Sequence, residues 1–373
     1  MHWKLSYIVT RLFKRARRPF RVLFSFVPLF PVETIESLLI MYRNINKQKY
    51  ILTDMHFFLS APTNILNMLV FTKHGLTERI NLCLFFQSLA DLAFMSINFL
   101  LYADRMYLGI TNTTSRGPLT RFFTRTHLLG LYGFYWASGF MTMVIACERC
   151  LCVVSPLRSQ NILNTRSTFI ITLVAFFLIL GGAFVIGMRW SLTCVFDSRT
   201  NSSYLQAYPG EFYLLNRPLV DTLDGVVYGI VLPGTFVVTV IISTVVTVSK
   251  LKKMASWREK TSSAAMSVRD VSLTRMLIGC SILFIVCTVP GIVFRVLILF
   301  VTDMSLAGRY YNTFKFIFSV THLCAYTNSS VNFFIYCTMG TKYKQTLKSM
   351  CCKIKKPKPV NNTYTKTEND VDQ

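Results

Sequence analysis

"STFIITLVAFFLILGGAFVIGM", residues 167–188, contains no charged side chain from its first residue to its last. About 20 apolar residues in a helix are enough to cross the roughly 30 Å hydrocarbon layer of a bilayer. Inside that layer every backbone N–H and C=O group needs a partner within the protein, and an α-helix supplies one for each. This stretch therefore predicts a membrane-spanning helix.

The composition of the whole chain agrees with this prediction. Of the 373 residues, 52% are hydrophobic and only 15% are charged, whereas about 25% are charged in soluble globular proteins. Further apolar runs of similar length occur along the chain, and Gly and Pro inside them are ordinary in membrane helices. We predict an all-α fold, an integral membrane bundle of seven transmembrane helices followed by a short amphipathic eighth helix. The predicted spans are 50–73, 78–103, 121–154, 166–188, 221–250, 269–300 and 310–338, with the amphipathic helix at 339–350 and a cytoplasmic tail at 351–373.

The Lys and Arg residues predict how the bundle is oriented, because cytoplasmic loops carry an excess of them. With the N-terminus outside, the inner loops and tail hold 20 of the 40 Lys and Arg residues and the outer loops hold 10. The remaining 10 lie in residues 1–49 and conflict with an outside position. That segment is open to three interpretations: a signal-like element, an amphipathic surface segment or a misassigned start.

Two further features bear on the surroundings of the chain. Asn112 and Asn201 begin N-x-S/T glycosylation sequons in predicted outer loops, although Asn361 begins another in the predicted tail. The net charge of +23 is better explained by attraction of the inner loops and tail to the anionic cytoplasmic leaflet than by nucleic-acid binding. We therefore expect a lipid-membrane partner and no nucleic acid.

Polar residues inside the apolar runs mark the candidate functional site, because an ionisable group in the bilayer is costly and is usually functional. Asp91 is an acidic residue in the middle of the second span. Its carboxylate, with hydroxyl and amide groups from other spans, would form an oxygen-rich cluster suited to a small hard cation. The members of this predicted polar core are Asn64, Asp91, Ser138, Asn328 and Asn332.

Short motifs in these spans resemble those of rhodopsin-like (class A) G-protein-coupled receptors over roughly residues 50–352. Each motif alone is weak, but their order and their placement, one on each of several helices, are specific. The matching stretches are Asn64 in the first span, "SLAD" ending at Asp91, "ERCLCVVSPL" at 148–157, Phe284-x-x-Cys287-Thr288-x-Pro290, and "NSSVNFFIY" at 328–336.

The resemblance implies a receptor that binds a ligand outside and activates a heterotrimeric G protein inside, without enzymatic chemistry. It implies an activation switch in which Glu148 holds Arg149, Asp270 is a second partner for Arg149, and the sixth helix moves about Pro290. It also implies an allosteric sodium ion at Asp91, with a polar core that holds no ion as the alternative. The other switch residues implied are Phe284, Thr288, Asn332 and Tyr336.

The segment after the seventh span also resembles the family. "TKYKQTLKSMCC" places Tyr343 and Leu347 on one face and lysines on the other, as in a helix lying on the inner membrane surface. Cys351 and Cys352 follow it, and juxtamembrane cysteines near lysines predict palmitoylation. Two free cytosolic thiols are the alternative.

Departures from the family pattern indicate a divergent member. Thr124 occupies the place of the usual third-helix cysteine, which leaves the disulfide partner of Cys194 open. Thr288 stands where the family has a sixth-helix Trp, and Phe333 where it has a seventh-helix Pro. The pattern resembles invertebrate FMRFamide-like peptide receptors and molluscan chemosensory receptors, so a peptide or a chemosensory small molecule is the expected ligand.

The residues that select amine or retinal ligands in the wider family are absent. The aminergic carboxylate would fall at Leu131 and the opsin lysine at Tyr326. Arg295 would be the one cation in the outer cavity and would meet a carboxylate or a carbonyl, unless it extends to the lipid headgroups. The predicted lining is Leu131, Tyr132, Tyr135, Thr288, Arg295, His322 and Tyr326.

Two rival functions are alternatives to a plasma-membrane receptor, a thiol–disulfide oxidoreductase and a channel or transporter. Cys147 and Cys150 form a C-x-x-C motif, which tunes thiol pKa in oxidoreductases, but they lie at the predicted cytosolic end, where thiols stay reduced. A channel or transporter would be expected to show inverted repeats and charged residues at the midplane. Asp91 alone meets the second expectation, and no repeat is visible.

Overall fold

The structure is a computed structural model that describes residues 56–111, 129–155, 164–198, 201–260, 268–301, 303–305 and 308–351. Several predicted features fall outside these residues, among them the N-terminal segment, Asn112, Thr124, Cys352 and the tail beyond it. The backbones of Cys194, Asp270 and Cys351 are described, but their side chains are not.

The described chain is mainly helical, and the elements are numbered here in chain order. Two π-helical segments, Leu129–Phe134 and Leu223–Val231, lead directly into long α-helices. Eight-residue strands β1 (Trp190–Asp197) and β2 (Ser202–Pro209) lie between α4 and α5. The α-helices are α1 (56–74), α2 (Arg79–Thr111), α3 (Tyr135–Val154), α4 (Thr165–Gly187), α5 (Glu211–Leu215), α6 (Arg217–Thr222), α7 (Leu232–Lys260), α8 (Val268–Phe300), α9 (Tyr311–Met339) and α10 (Thr341–Cys351).

Five helical stretches among the described residues are long and apolar enough to cross a membrane. The helix α4, which includes residues 167–187 of the uncharged run 167–188, lies at the edge of the bundle. Phe177 and Leu178 expose 74% and 71% of their surface, as expected of side chains that face lipid. The five stretches are Arg79–Leu100, Leu129–Val154, Thr165–Gly187, Arg217–Met254 and Ser272–Phe300.

The helix α3 supplies residues to both of the buried hydrophobic clusters. One cluster joins Tyr135 and Trp136 to Phe284 of α8. The other joins Met141 to Tyr336 of α9 and Tyr343 of α10. The helix α3 therefore contacts other helices in both clusters. A site shared by several helices can form along it.

Two helices continue past their predicted ends. The helix α2 ends at Thr111 instead of 103, and α7 ends at Lys260 instead of 250. Those ends were placed where the apolar run stops. A helix is held by its backbone hydrogen bonds, which polar side chains do not interrupt, so it extends beyond the membrane layer.

A β-hairpin between α4 and α5 was not predicted. The strands β1 and β2 pair antiparallel, from Trp190 opposite Pro209 to Asp197 opposite Ser202. Asn201 lies in the turn with a φ of 48°, a left-handed conformation that Asn tolerates better than most residues. Its side chain is exposed, so the predicted glycosylation site is accessible at the tip of the hairpin.

The helix α10 packs against the bundle through its apolar face. Tyr343 is 3% exposed, and its hydroxyl donates a hydrogen bond of 2.6 Å to Asn67 Oδ1 in α1. His74 Nε2 and Thr346 Oγ1 lie 2.9 Å apart and form a second link between the same helices. Burial raises the pKa of Tyr343, so the phenol stays protonated and able to donate at physiological pH.

Candidate functional site

The polar core forms where α2, α3 and α9 meet. Asp91 is 1% exposed. Its Oδ1 accepts hydrogen bonds of 2.8 Å from Ser138 Oγ and from Ser329 Oγ. Its Oδ2 accepts a bond of 3.3 Å from Asn332 Nδ2. Three helices are thereby tied to one buried carboxylate.

Ser329 is the member of this core that the sequence analysis missed. Its backbone carbonyl also accepts a bond of 3.2 Å from Asn64 Nδ2, which joins α1 to the same network. Asn328, which was also predicted, is 3% exposed, and the hydrogen bonds to Asp91 among the described residues come from Ser138, Ser329 and Asn332. The sequence shows that Ser329 carries a hydroxyl. It does not show whether this side chain or that of the neighbouring Asn328 points toward Asp91.

The oxygen atoms at Asp91 and around it fit the sodium ion that the resemblance implies. Among the described residues, no Lys or Arg lies within ion-pair distance of Asp91. A carboxylate buried without a cation is costly. Carboxylate and hydroxyl oxygens are the ligands that a hard cation prefers, and Asp91, Ser138 and Ser329 supply both kinds.

The predicted switch lies near the C-terminal end of α3. Arg149 Nε is 2.6 Å from Glu148 Oε2, and Glu148 is 6% exposed. A second arginine, which was not predicted, reaches the same carboxylate: Arg79 at the start of α2 lies 4.0 Å from Oε1. The Cys152 thiol also donates to Oε1, over 3.4 Å. Glu148 is therefore shared between α2 and α3.

The other predicted switch residues lie in α8 and α9. Phe284 is 1% exposed and packs where Gly139 lets α3 approach α8 closely. The helix α8 runs without interruption through Pro290. Tyr336 is 1% exposed, with its ring centroid 5.5 Å from those of Phe71 and Tyr343. Asp270 lies in the first turn of α8, and its predicted contact with Arg149 stays a prediction.

An aromatic cavity lies at the end of the bundle opposite the Glu148–Arg149 pair, the end predicted to face outside. It holds about 640 Å³ of empty space, counted out to open solvent. Six predicted residues line it, and Tyr326 lies beside it with its ring centroid 5.6 Å from that of Phe94. Trp136, which the prediction omitted, also lines it. The six predicted lining residues are Leu131, Tyr132, Tyr135, Thr288, Arg295 and His322.

Arg295 belongs to an extended network of charges at the cavity rim. Its guanidinium donates to the Tyr132 hydroxyl and lies 5.4 Å above that ring. Asp224 Oδ1 is 3.9 Å from Arg295 Nη1, while Asp224 Oδ2 is only 2.7 Å from Arg189 Nη1. Arg189 is also 2.7 Å from Asp221. Arg295 thus faces protein groups and does not extend to the headgroups.

The C-x-x-C cysteines lie beside the switch. Cys147 and Cys150 are free thiols, half-buried on α3. Cys147 Sγ is 3.6 Å from Ser243 Oγ of α7. Cys147 therefore contributes to the packing of α3 against α7.

The family model of the "Serpentine type 7TM GPCR chemoreceptor Srw" matches residues 53–353. The chain belongs to this family. Its predicted resemblance to divergent class A chemosensory receptors and its seven-helix fold class are thereby confirmed. As a member of the Srw family, it is a multi-pass membrane protein and a chemoreceptor of the G-protein-coupled type, a family of receptors and not of enzymes. No individually curated protein matches the chain.

Proposed function

We propose that this Srw receptor lies in the plasma membrane with its N-terminus outside, binds an extracellular ligand in the aromatic cavity and activates a heterotrimeric G protein at its inner face. The observation that carries the proposal is the buried Glu148–Arg149 ion pair, with N and O 2.6 Å apart. A buried ion pair is weak evidence for stability but is well suited to act as a switch. A charge held this way is available to a partner once its counter-ion moves.

A second cavity, at the proposed inner face, supports the proposed binding site of the G protein. It lies between α1, the start of α2, α8 and α10, and holds about 980 Å³, counted out to open solvent. Glu78 lines it and precedes Arg79, the second partner of Glu148. Leu273 and Met276 line it from α8. Outward movement of α8 would therefore enlarge this cavity beside the switch.

We infer that ligand binding in the outer cavity is transmitted to the inner cavity through α3 and α8. Thr288 lines the outer cavity, and Phe284, one turn further in, contacts α3 at Gly139. A ligand shifts the equilibrium between the resting and the active arrangement of the helices only as far as it binds one of them better than the other. We infer that the ligand favours the arrangement in which α8 has moved about Pro290.

A sodium ion at Asp91 is part of the proposal. When bound, it would neutralise the carboxylate. The hydroxyls of Ser138 and Ser329 would then turn their oxygens toward the ion, and the three helices would stay in the resting arrangement. Sodium would therefore oppose activation.

Arg149→Ala tests the switch in cells that carry a promiscuous G protein. Peptides, amino acids and odorants are screened against the full-length receptor, and the signal from any active compound should be lost in the variant. Arg166→Ala is the matched control, because Arg166 is an exposed arginine at the start of α4. Signalling that survives Arg149→Ala, or a ligand-gated current in bilayers without G protein, would contradict the proposal.

Glu148→Gln tests the other half of the ion pair. It removes the charge that holds Arg149 and Arg79, so the basal signal should rise at equal surface expression. A basal signal at or below that of the unmodified receptor would argue against Glu148 as the restraint.

A further inference from the structure

The charged residues at the outer rim form one chain of alternating sign. Asp221 lies 3.5 Å from Arg217 and 2.7 Å from Arg189. Asp224 lies 2.7 Å from Arg189 and 3.9 Å from Arg295. Three arginines meet two aspartates, so the chain carries one positive charge that has no counter-ion within it.

The two ends of this chain differ in their access to water. The Arg217 side chain is 70% exposed, so solvent screens its charge. The Arg295 side chain is 25% exposed and lines the outer cavity. Asp224 lies closer to Arg189 than to Arg295, so it compensates Arg295 only in part. The uncompensated positive charge therefore faces the cavity.

Arg295 also retains hydrogen-bonding capacity. A guanidinium has five N–H donors in a planar fork. Among the described residues, Arg295 donates to the Tyr132 hydroxyl, and its distance to Asp224 is too long for a hydrogen bond. Its stem packs beside Gly229, with Cδ and Cγ 3.4 and 3.6 Å from where a Cβ on that glycine would lie. A carboxylate is the group that such a fork binds best.

The walls of the cavity indicate what the carboxylate is attached to. Tyr135, Trp136 and Phe318 are among the aromatic residues that line it, and no Asp or Glu is among the described lining residues. Trp136 is 8% exposed, and its Nε1–H has no hydrogen-bond partner in the described part of the chain. A buried donor without a partner is costly, and a ligand acceptor that reached this N–H would remove that cost.

We propose that the ligand is a small organic acid with an aromatic or branched apolar body, whose carboxylate binds Arg295. This inference rests on the proposed function, because it names the ligand class of the outer cavity. A cationic ligand would meet Arg295, whose charge Asp224 offsets only in part, and would find no Asp or Glu among the described lining residues. The C-terminal carboxylate of a short peptide has the same chemistry, and the experiment separates the two sources.

Matched probes test the class directly on the purified full-length receptor. Phenylacetate, 3-phenylpropanoate and 4-methylpentanoate are each compared with their primary amides, and the dipeptide Phe-Phe is compared with its C-terminal amide. Binding is read from the rise in melting temperature with probe concentration, which needs no G protein. At least one acid should bind about tenfold or more tightly than its amide, because it gains a charge-assisted pair.

Variants of the two end arginines provide the decisive comparison. Arg295→Gln should weaken binding of the acid about tenfold or more and leave the amide unchanged, while Arg295→Lys should be intermediate because it loses the fork. Arg217→Gln removes the same charge from the solvated end and should leave the affinity unchanged. Asp224→Asn should strengthen acid binding, because it removes the competing carboxylate.

Several outcomes would overturn the inference. These are failure of every acid to bind, equal or tighter binding of the amides, and an equal effect of Arg295→Gln and Arg217→Gln. If Arg295→Gln lowers the melting temperature without probe, the comparison rests on Asp224→Asn and Arg295→Lys. Acids that bind without any cellular signal would refute the G-protein proposal and leave this one standing. Binding of the dipeptide acid alone would assign the carboxylate to a peptide.

Discussion

Replacing Gly182 with Ala tests how α4 packs against the π-helical segment Leu223–Val231, which contributes Tyr228 to the wall of the outer cavity. The added Cβ would overlap the Tyr228 hydroxyl oxygen and lie 2.9 Å from Cζ of the same ring. Tyr228 is 4% exposed and donates a hydrogen bond of 2.5 Å to the Ile179 carbonyl oxygen. Because a real Cβ does not lie this close to a ring carbon, we expect the ring to move and this bond to break.

The neighbouring Gly181 is a matched control in the same helix. A Cβ built there meets no atom within 4 Å. Ala in place of Gly favours a helix by up to about 1 kcal/mol, and this gain applies at both positions. At Gly182 it is outweighed by overpacking, about 1–3 kcal/mol, and by the lost hydrogen bond, about 1 kcal/mol. We expect a net loss of about 1–3 kcal/mol at Gly182 and none at Gly181.

The measurement is thermal unfolding of both purified variants in the same detergent. Gly182→Ala should lower the melting temperature by several degrees, and Gly181→Ala should leave it unchanged or raise it. Tyr228→Phe loses only the hydrogen bond and should fall between them. Equal melting temperatures for the two glycine variants would refute the packing described for α4. Because Tyr228 lines the outer cavity, Gly182→Ala should also weaken ligand binding.

Three further predictions concern the polar core, α10 and the cysteines. Asp91→Asn removes the charge that would bind sodium, so the melting temperature should no longer rise when NaCl replaces choline chloride at equal ionic strength; a retained rise would exclude this site. Tyr343→Phe loses the 2.6 Å bond to Asn67 and should lower stability by about 1 kcal/mol in the same unfolding measurement, and an unchanged melting temperature would show that this bond does not hold α10. The double variant Cys147→Ser with Cys150→Ser should keep its signal within about threefold of the unmodified receptor, because small half-buried side chains are replaced by others of similar size. Loss of signal at equal surface expression would instead favour the thiol–disulfide hypothesis.

The polar core shows how far a sequence pattern reaches. Asp91, Ser138 and Asn332 stand out because polar residues are rare inside apolar runs, and the structure places all three in one cluster. Ser329 and Asn328 are neighbours in the sequence and both polar. Successive side chains on a helix point about 100° apart, so only one of them can face a given partner. The rotation of α9 decides which, and the sequence leaves it open.

The missed charge partners have the same cause. Asp224 stands at the edge of an apolar run, where an acidic residue ordinarily faces the headgroups and attracts no attention. Its partners are Arg189, in the turn between α4 and β1, and Arg295 on α8, and both are far from it in the chain. Arg79 likewise lies at the inner start of α2 and reads as a loop charge, until α2 and α3 pack and bring it within 4.0 Å of Glu148.

By itself, the sequence determined that this protein crosses the membrane as a helical bundle and belongs with the class A receptors. Transfer of apolar side chains into the bilayer and the local hydrogen bonding of a helix depend on nearby residues alone, so they can be read from runs such as 167–188. Only the tertiary structure decided that Glu148 is shared by two arginines and that Arg295 ends a chain of alternating charges. Those contacts depend on the rotation and depth of each helix, which are set by side chains packed from distant parts of the chain.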